Sequence, residues 1–318
     1  KVLVVGSGVA AAGFLHHGAK QRLICDHVSS PSNAPTCSLN STAVAALRGT
    51  QKGISPLGDE LVEGWMEAND FFALGHRGVE AAIHTTSVFV NDKNLRRFSH
   101  LPLTKPPVPL KQIPQLCVSE EAWIIRPQEF LKQWPARDAM VVGLSVEEKK
   151  WRVQFLDGTS LVYDHVVLAT GYWLSWMKGL FPIPELRAVQ GSYLQWGQTD
   201  FGAESFSLTL DDTNLVYHTA EKTLLLGSTS VKNVSGDFAD MSDLKKRWET
   251  VSELLAASLP AMKDAKTHTG IRSVTRDRAP FTYSPQPGLH LIGGLYKNGW
   301  VMSWRLGRQT VQRILADQ

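Results

Sequence analysis

Cysteine is scarce: 318 residues hold only Cys25, Cys37 and Cys117. Their spacing is neither that of a metal site nor that of a disulfide framework, so a reduced chain in a cytoplasmic setting is expected, with Cys25 a buried thiol on a strand. No run approaches the roughly 18 apolar residues that cross a bilayer, so no membrane span is expected. The apolar start, Val2 to Leu15, is broken by Gly6 and Gly8, which argues against a secretion signal. No block of five or six basic residues occurs, and 33 basic against 30 acidic side chains give a net charge of +3, so the charge balance does not imply nucleic acid. A His-Asp or paired-carboxylate constellation is also missing, as are internal repeats and low-complexity tracts. What is left is an ordinary composition, 43% hydrophobic and 20% charged, in a chain long enough for a large core and two domains.

The first 26 residues read as one unit. An apolar strand (Val2 to Val5) leads into the glycine turn Gly6-Ser7-Gly8-Val9-Ala10-Ala11, an amphipathic helix and a second strand (Arg22 to Cys25) that ends at Asp26. This is a dinucleotide-binding βαβ start. Gly6 permits the tight turn, Gly8 lets the backbone approach a pyrophosphate, and Ala11 lets the helix pack on the strand, with the phosphates at the positive helix end. Asp26 falls where an acid accepts hydrogen bonds from a ribose. No second G-x-G-x-x-G follows a later strand, so electrons are expected from an amine and not from NAD(P)H.

Further along, Ser29 to Thr42 is small and polar and favours a loop. A helix is expected from about Gly58 to Leu74, because Leu61, Trp65, Phe71 and Phe72 share one face. Thr85 to Val90 reads as a strand. Leu101 to Pro114 carries five prolines, which exclude a regular helix; it is either an extended surface segment or a lid beside the active site. Arg126 to Leu131 looks like a helix start with Pro127 in the first turn. Trp151 to Leu156 and Ser160 to Tyr163 flank the turn Asp157-Gly158 as a β-hairpin. The run Val166 to Gly171 is a buried strand ending in small residues, as parallel strands do beside a ligand. Residues 190 to 230 hold short strand-like runs separated by polar turns, an antiparallel pattern. A helix near Ser242 to Ser258, the block Gly270 to Asp277, a strand Leu289 to Ile292 and a last helix from about Val301 to Ala316 complete the chain.

Four separated blocks resemble one family: the glycine fingerprint with Asp26, the strand ending Ala169-Thr170-Gly171, the block Gly270-Ile271-Arg272-Ser273-Val274-Thr275-Arg276-Asp277, and Gly293-Gly294-Leu295-Tyr296-Lys297-Asn298-Gly299 before a terminal helix. Together they resemble the D-amino-acid oxidase superfamily of FAD enzymes, most closely its glycine oxidase and sarcosine oxidase branch and the FAD domain of the enzyme that matures wobble uridine in tRNA. The resemblance implies an α/β fold. A Rossmann-like FAD-binding domain with a parallel sheet (1–80, 124–178 and 268–318) would carry a second, α+β substrate domain with an antiparallel sheet (81–123 and 179–267). It also implies FAD as cofactor, a small amine or amino acid as substrate, and an electron acceptor such as dioxygen.

By the same resemblance, Gly6 to Ala11, Asp26 and His27 hold the pyrophosphate and ribose, and Ser38, Leu39, Asn40, Ser41 and Thr42 form the loop that reaches pyrophosphate and flavin. Val142 packs by the adenine or is plain core. Ala169, Thr170 and Gly171 pass under the cofactor, with Trp173 lining the pocket or packing in the core. Gly294, Lys297, Asn298, Gly299, Trp300 and Val301 bring the last helix N-terminus to the flavin, where backbone N–H groups meet developing negative charge. Arg272 matches the arginine that binds the substrate carboxylate, since a guanidinium fork holds a carboxylate through two parallel bonds; a structural pair with Asp277 is the other reading. Tyr217 matches a tyrosine on the same carboxylate or packs in a sheet. Lys297 adds positive charge near the flavin or is solvated. The sequence departs from the family in its short length, in Asp26 where Glu is commoner, and in Trp300-Val301-Met302-Ser303-Trp304 where small residues and proline are usual. With ten tryptophans in the chain, a narrowed pocket is expected, and bulky Trp300 and Trp304 leave open a flavin-holding protein without turnover.

Overall fold

The computed structural model describes residues 1–30, 36–90, 92–202, 204–233 and 239–317. The middle of the expected loop, residues 31–35, lies outside them. A six-stranded sheet places Val2–Val5 between His165–Leu168 and Cys25–Ser29. Leu289–Gly293 and Arg137–Asp138 extend the sheet in parallel on either side, and Phe281–Gln286 closes one edge antiparallel. Val2–Val5, His165–Leu168 and Leu289–Gly293 are short, fully buried and largely apolar, as strands covered on both faces must be, whereas Cys25–Ser29 is half-buried. Trp151 to Tyr163 forms the expected hairpin, within a separate three-stranded sheet.

Two helices pack side by side over this sheet. Val9–Lys20 and the last helix, Gly299–Ala316, meet backbone to backbone: a Cβ on Gly13 would lie 2.2 Å from the Ser303 carbonyl oxygen, and one on Gly307 2.4 Å from the Gly13 carbonyl carbon. A Cβ on Gly299 would lie 3.4 Å from a Val9 methyl, so contacts advance together along both helices and their N-termini lie at the same end. On its other side the last helix packs on Pro56–Phe72, where Trp304 stacks on Phe71 with ring centroids 3.7 Å apart.

The second large sheet is almost entirely antiparallel, as expected for residues 190 to 230. Its centre runs Arg187–Trp196, Thr223–Gly227, Thr213–His218 and Phe206–Leu210, and the last pairs in parallel with Val79–Val88. Lys266–Val274 pairs with Arg187–Trp196. One face packs Leu194, Leu208, Leu215 and Leu224 against the helix Met241–Leu254. The opposite face carries His84, Thr86, Thr209 and Asn214 and looks toward the Rossmann-like unit.

The second strand differs from expectation: it occupies Cys25–Ser29 and not Arg22 to Cys25, because Arg22 takes a left-handed turn at φ 58° after the helix. The proline-rich segment buries Val108 in the core of the second sheet and bridges to Val118 and Leu255, and none of residues 101–114 lines the main cavity.

Because the two helices touch through backbone, Gly307→Ala forces them apart. Overpacking of this kind costs about 1–3 kcal/mol. Thermal unfolding followed by circular dichroism should show Tm lower by several degrees, and an unchanged Tm would refute the contact.

Candidate functional site

A cavity of about 1410 Å³ opens where the parallel strands end and is lined from both sheets. At its floor Gly6, with φ +119°, crosses so close to Ala169 that a Cβ would lie 2.4 Å from the Ala169 carbonyl oxygen. Gly8 begins the helix Val9–Lys20 with no side-chain cap and no acid in the first turn, and the Val9 N–H donates to Ser38 Oγ at 3.1 Å. The last helix opens on the same cavity, again with no side-chain cap at Asn298 and no acid in its first turn. Unpaired N–H groups and the helix dipole make each such end a place for negative charge.

On the opposite wall stands Arg272, 8% exposed, on Lys266–Val274. Its guanidinium donates to Ser228 Oγ at 2.7 Å and to the Thr229 carbonyl at 3.3 Å. It lies flat over Gly191 on the paired strand, where a Cβ would come 2.3 Å from both terminal nitrogens. No carboxylate lies within ion-pair distance of it among the described residues, so the expected alternative, a pair with Asp277, is not formed; Asp277 accepts instead from the Ala279 N–H. Lys297 also lines the cavity. Burial first, then Arg272 and Arg48, hold its ammonium down at about 8. Burial pushes the neighbouring Cys37 thiol up.

Of the residues expected at the site, Gly6, Ser7, Gly8, Val9, Ala10, Ser38 to Thr42, Ala169 to Gly171, Trp173 and Lys297 to Val301 all line this one cavity. Ala11 is buried beneath it, and Gly294 forms the turn beside Thr275 at φ +69°. His27 lies outside, its ring nitrogens 2.7 Å from the Gly6 carbonyl and 3.1 Å from that of Pro135.

Three expectations are corrected. Asp26 pairs in register with Leu3, two residues short of where Val28 meets Val5, and it is held by Lys1 Nζ at 2.7 Å and the Tyr163 hydroxyl at 2.8 Å. Ser29 and Ser30 take the strand end at the cavity instead. Val142 points to solvent, 53% exposed, while its neighbour Val141 lines the cavity, because alternate strand residues face opposite ways. Tyr217 is on the wrong face for the same reason: it packs with Phe201 and Phe206, and its hydroxyl donates to the Thr199 carbonyl at 3.0 Å. The bulky last helix does not fill the cavity with both tryptophans, since Trp304 is fully buried between helices and only Trp300 reaches the wall.

The model of the DAO family, described as FAD dependent oxidoreductase, matches residues 136–313. The chain belongs to this family. Among solved structures, the oxidoreductase is similar to glycine oxidase from Bacillus cereus ATCC 14579, with TM-score 0.80 and 17% identity over 100% of this chain and 97% of that one. It is similar also to iminodiacetate oxidase from Chelativorans sp. BNC1, with TM-score 0.76 and 13% identity over 100% and 96%. At such identities the likeness is one of fold. The tRNA 5-methylaminomethyl-2-thiouridine biosynthesis bifunctional protein MnmC of Caulobacter sp. (strain K31) is 28% identical over 204 residues, 62% of this chain. The match spans about a third of the length of that curated relative, 33%.

The residues present fit FAD. Two uncapped helix ends suit a pyrophosphate and an electron-accepting ring, and Thr170 Oγ1 and His268 Nε2 are buried in the wall without a partner among the described residues. Gly191, Arg48, His84 and Asn214 were not legible as site residues. Only Gly191, a lone glycine inside a strand, carried a signal, since such a glycine marks a close approach.

Gly191→Ala displaces the Arg272 guanidinium without touching its chemistry. The oxidoreductase should bind small carboxylates at least about tenfold more weakly, the scale of one charge-assisted bond, while keeping its FAD. Unchanged carboxylate binding, followed through the flavin spectrum, would show that Arg272 does not depend on this stacking.

Proposed function

We propose that this FAD-dependent oxidoreductase acts on a small amino acid or N-substituted glycine, oxidising its C–N bond to an imine that water then hydrolyses. The observation that carries the reading is Arg272: a buried guanidinium facing the cavity, fixed by Ser228 and Thr229, with no carboxylate to answer it among the described residues. A buried cation left without an anion is unfavourable, so the geometry favours an incoming carboxylate that takes both terminal nitrogens.

Gly6 to Ala10 with Ser38 would hold the cofactor pyrophosphate, and the N-terminus of Gly299–Ala316 would offer N–H donors to its reactive ring. FAD, when bound, supplies the two-electron acceptor. The protein then contributes binding and orientation. Arg272 fixes the carboxylate, Lys297 adds positive charge, and the apolar wall of Trp173, Trp300 and Leu295 excludes water. No acid-base residue is required of the protein, and turnover needs an external electron acceptor such as dioxygen. A second reading is favoured by the MnmC relative: the same chemistry on a glycine-like group attached to uridine in tRNA.

Anaerobic mixing with primary and secondary amino acids should bleach the flavin, and Arg272→Met should raise the required concentration by about a hundredfold, the loss of a bidentate charged contact. If no free amino acid reduces the flavin while transfer RNA binds at low salt, the second reading replaces the first; if neither occurs, the amine chemistry fails.

Lys297 gives a pH dependence. Its ammonium is charged below about 8 and neutral above it, so it attracts an anion only on the acid side. Acetate, whose own charge is constant above about pH 6, should therefore bind more weakly as pH rises through about 8. Lys297→Met should flatten that profile, and a wild-type profile already flat would remove the lysine from the site.

A further inference from the structure

We propose that the cavity contains a second anion subsite at Arg48, and that the preferred substrate is an amine flanked by two carboxylates. The substrate class rests on the reading of Arg272 as a carboxylate ligand; the subsite itself does not.

Arg48 lines the same cavity as Arg272 and Lys297. Burial pulls its guanidinium below the ordinary value, the Glu120 carboxylate opposes this, and the positive charges of Arg97 and Arg272 add to it. Its side chain makes no hydrogen bond or ion pair with any described residue. The nearby acid is Glu120, and Glu120 serves the backbone: its carboxylate accepts from the Gly49 N–H at 3.1 Å and from the Arg48 N–H. Burial pushes the Glu120 carboxyl up, against those two N–H groups and the charges of Arg48 and Arg97.

The backbone at Arg48 is built for this placement. Arg48 has φ 53° and Gly49 φ 69°, so a long side chain sits in the left-handed region, a strained state that persists only where the surroundings enforce it. Here Glu120 holds the turn from one side and the Phe98 ring from the other, where a Cβ on Gly49 would lie 2.5 Å from Phe98.

Charge counting points the same way. Among the described residues, five cations line the cavity (Arg48, Arg97, Arg272, Arg278, Lys297) against two carboxylates, Asp211 and Asp212. Asp211 is engaged with the Phe89 N–H. One substrate carboxylate at Arg272 leaves Arg48, half-buried in the wall, facing only Glu120, whose carboxylate already accepts from two backbone N–H groups; a second carboxylate would take the Arg48 guanidinium. Two guanidiniums that each take one carboxylate also fix the amine between them.

The test uses the FAD-loaded chain and two probes that cannot be oxidised at an amine. Glutarate has the length of an amine bearing two carboxymethyl groups, and butyrate has the same carbons with one carboxylate fewer. Titrated through the flavin spectrum, glutarate should bind at least about tenfold more tightly than butyrate, the scale of one charge-assisted contact. Arg48→Met should erase that ratio by weakening glutarate about tenfold more than butyrate while FAD content is retained, and Arg48→Lys should restore part of it. Equal affinities in the wild-type chain overturn the subsite without recourse to any variant. A ratio that survives Arg48→Met but disappears in Lys297→Met overturns its assignment to Arg48. Glutarate selectivity without flavin reduction by any amine, iminodiacetate and N-methylglycine included, upholds the subsite and removes only the amine reading.

Discussion

The contact between the helices Val9–Lys20 and Gly299–Ala316 governs the geometry of the site. Because Gly13 and Gly307 have no side chains, the two backbones touch, and because the helices run the same way, both N-termini open on one cavity. Each end carries roughly half a positive charge, and neither has an acid in its first turn to offset it. The last helix is held on its other side too, by the Trp304–Phe71 stack and by Arg305 and Arg308, which reach Glu60 and Glu67 on Pro56–Phe72. A helix end fixed from both sides is a preorganised donor set, which is what electrostatic catalysis requires.

The opposite wall adds charge of the same sign. Desolvation first, then the guanidiniums of Arg272 and Arg48, hold Lys297 below 10.5, at about 8, with Asp212 acting the other way. A site so positive is incomplete without an anion. Arg272 is fixed by a hydroxyl and a carbonyl that do not neutralise it, and the turn that carries Arg48 is held by the Glu120 carboxylate at the Gly49 N–H.

Much of this was legible in the sequence because it depends on chain-local chemistry. The glycine fingerprint, the small residues after His165–Leu168 and the turn before the last helix are set by what a backbone can do within a few residues, and they line the cavity as expected. Arg272 was legible through resemblance, but its support was not. Gly191 lies 81 positions away in the chain and meets Arg272 only through the pairing of Val189 with Arg272 across two antiparallel strands. Arg48 was silent for a similar reason. Its exposure to the cavity depends on Glu120 and Phe98, from elements far along the chain, and an arginine at the end of the apolar run Ala43 to Leu47 otherwise reads as a solvated one.

The three misplaced residues share one physical cause. A strand has a period of two, so a shift of one residue moves a side chain to the other face, and the apolar pattern alone does not fix where a buried strand begins. Tyr217 and Val142 are such errors of face, and Asp26 is an error of length along the strand. The last matters most for the cofactor. With Ser29 and Ser30 at the strand end, a ribose would meet neutral hydroxyls and not a carboxylate, and neutral hydrogen bonds are about half as strong as charge-assisted ones. Asp26 is not idle: by pairing with Lys1 and Tyr163 it ties the first strand to the hairpin strand Ser160–Tyr163. On the proposed placement of the cofactor, its retention would lean on the two helix ends and the Ser38 loop, and cofactor affinity and the charge field of the site would then depend on the same backbone contact.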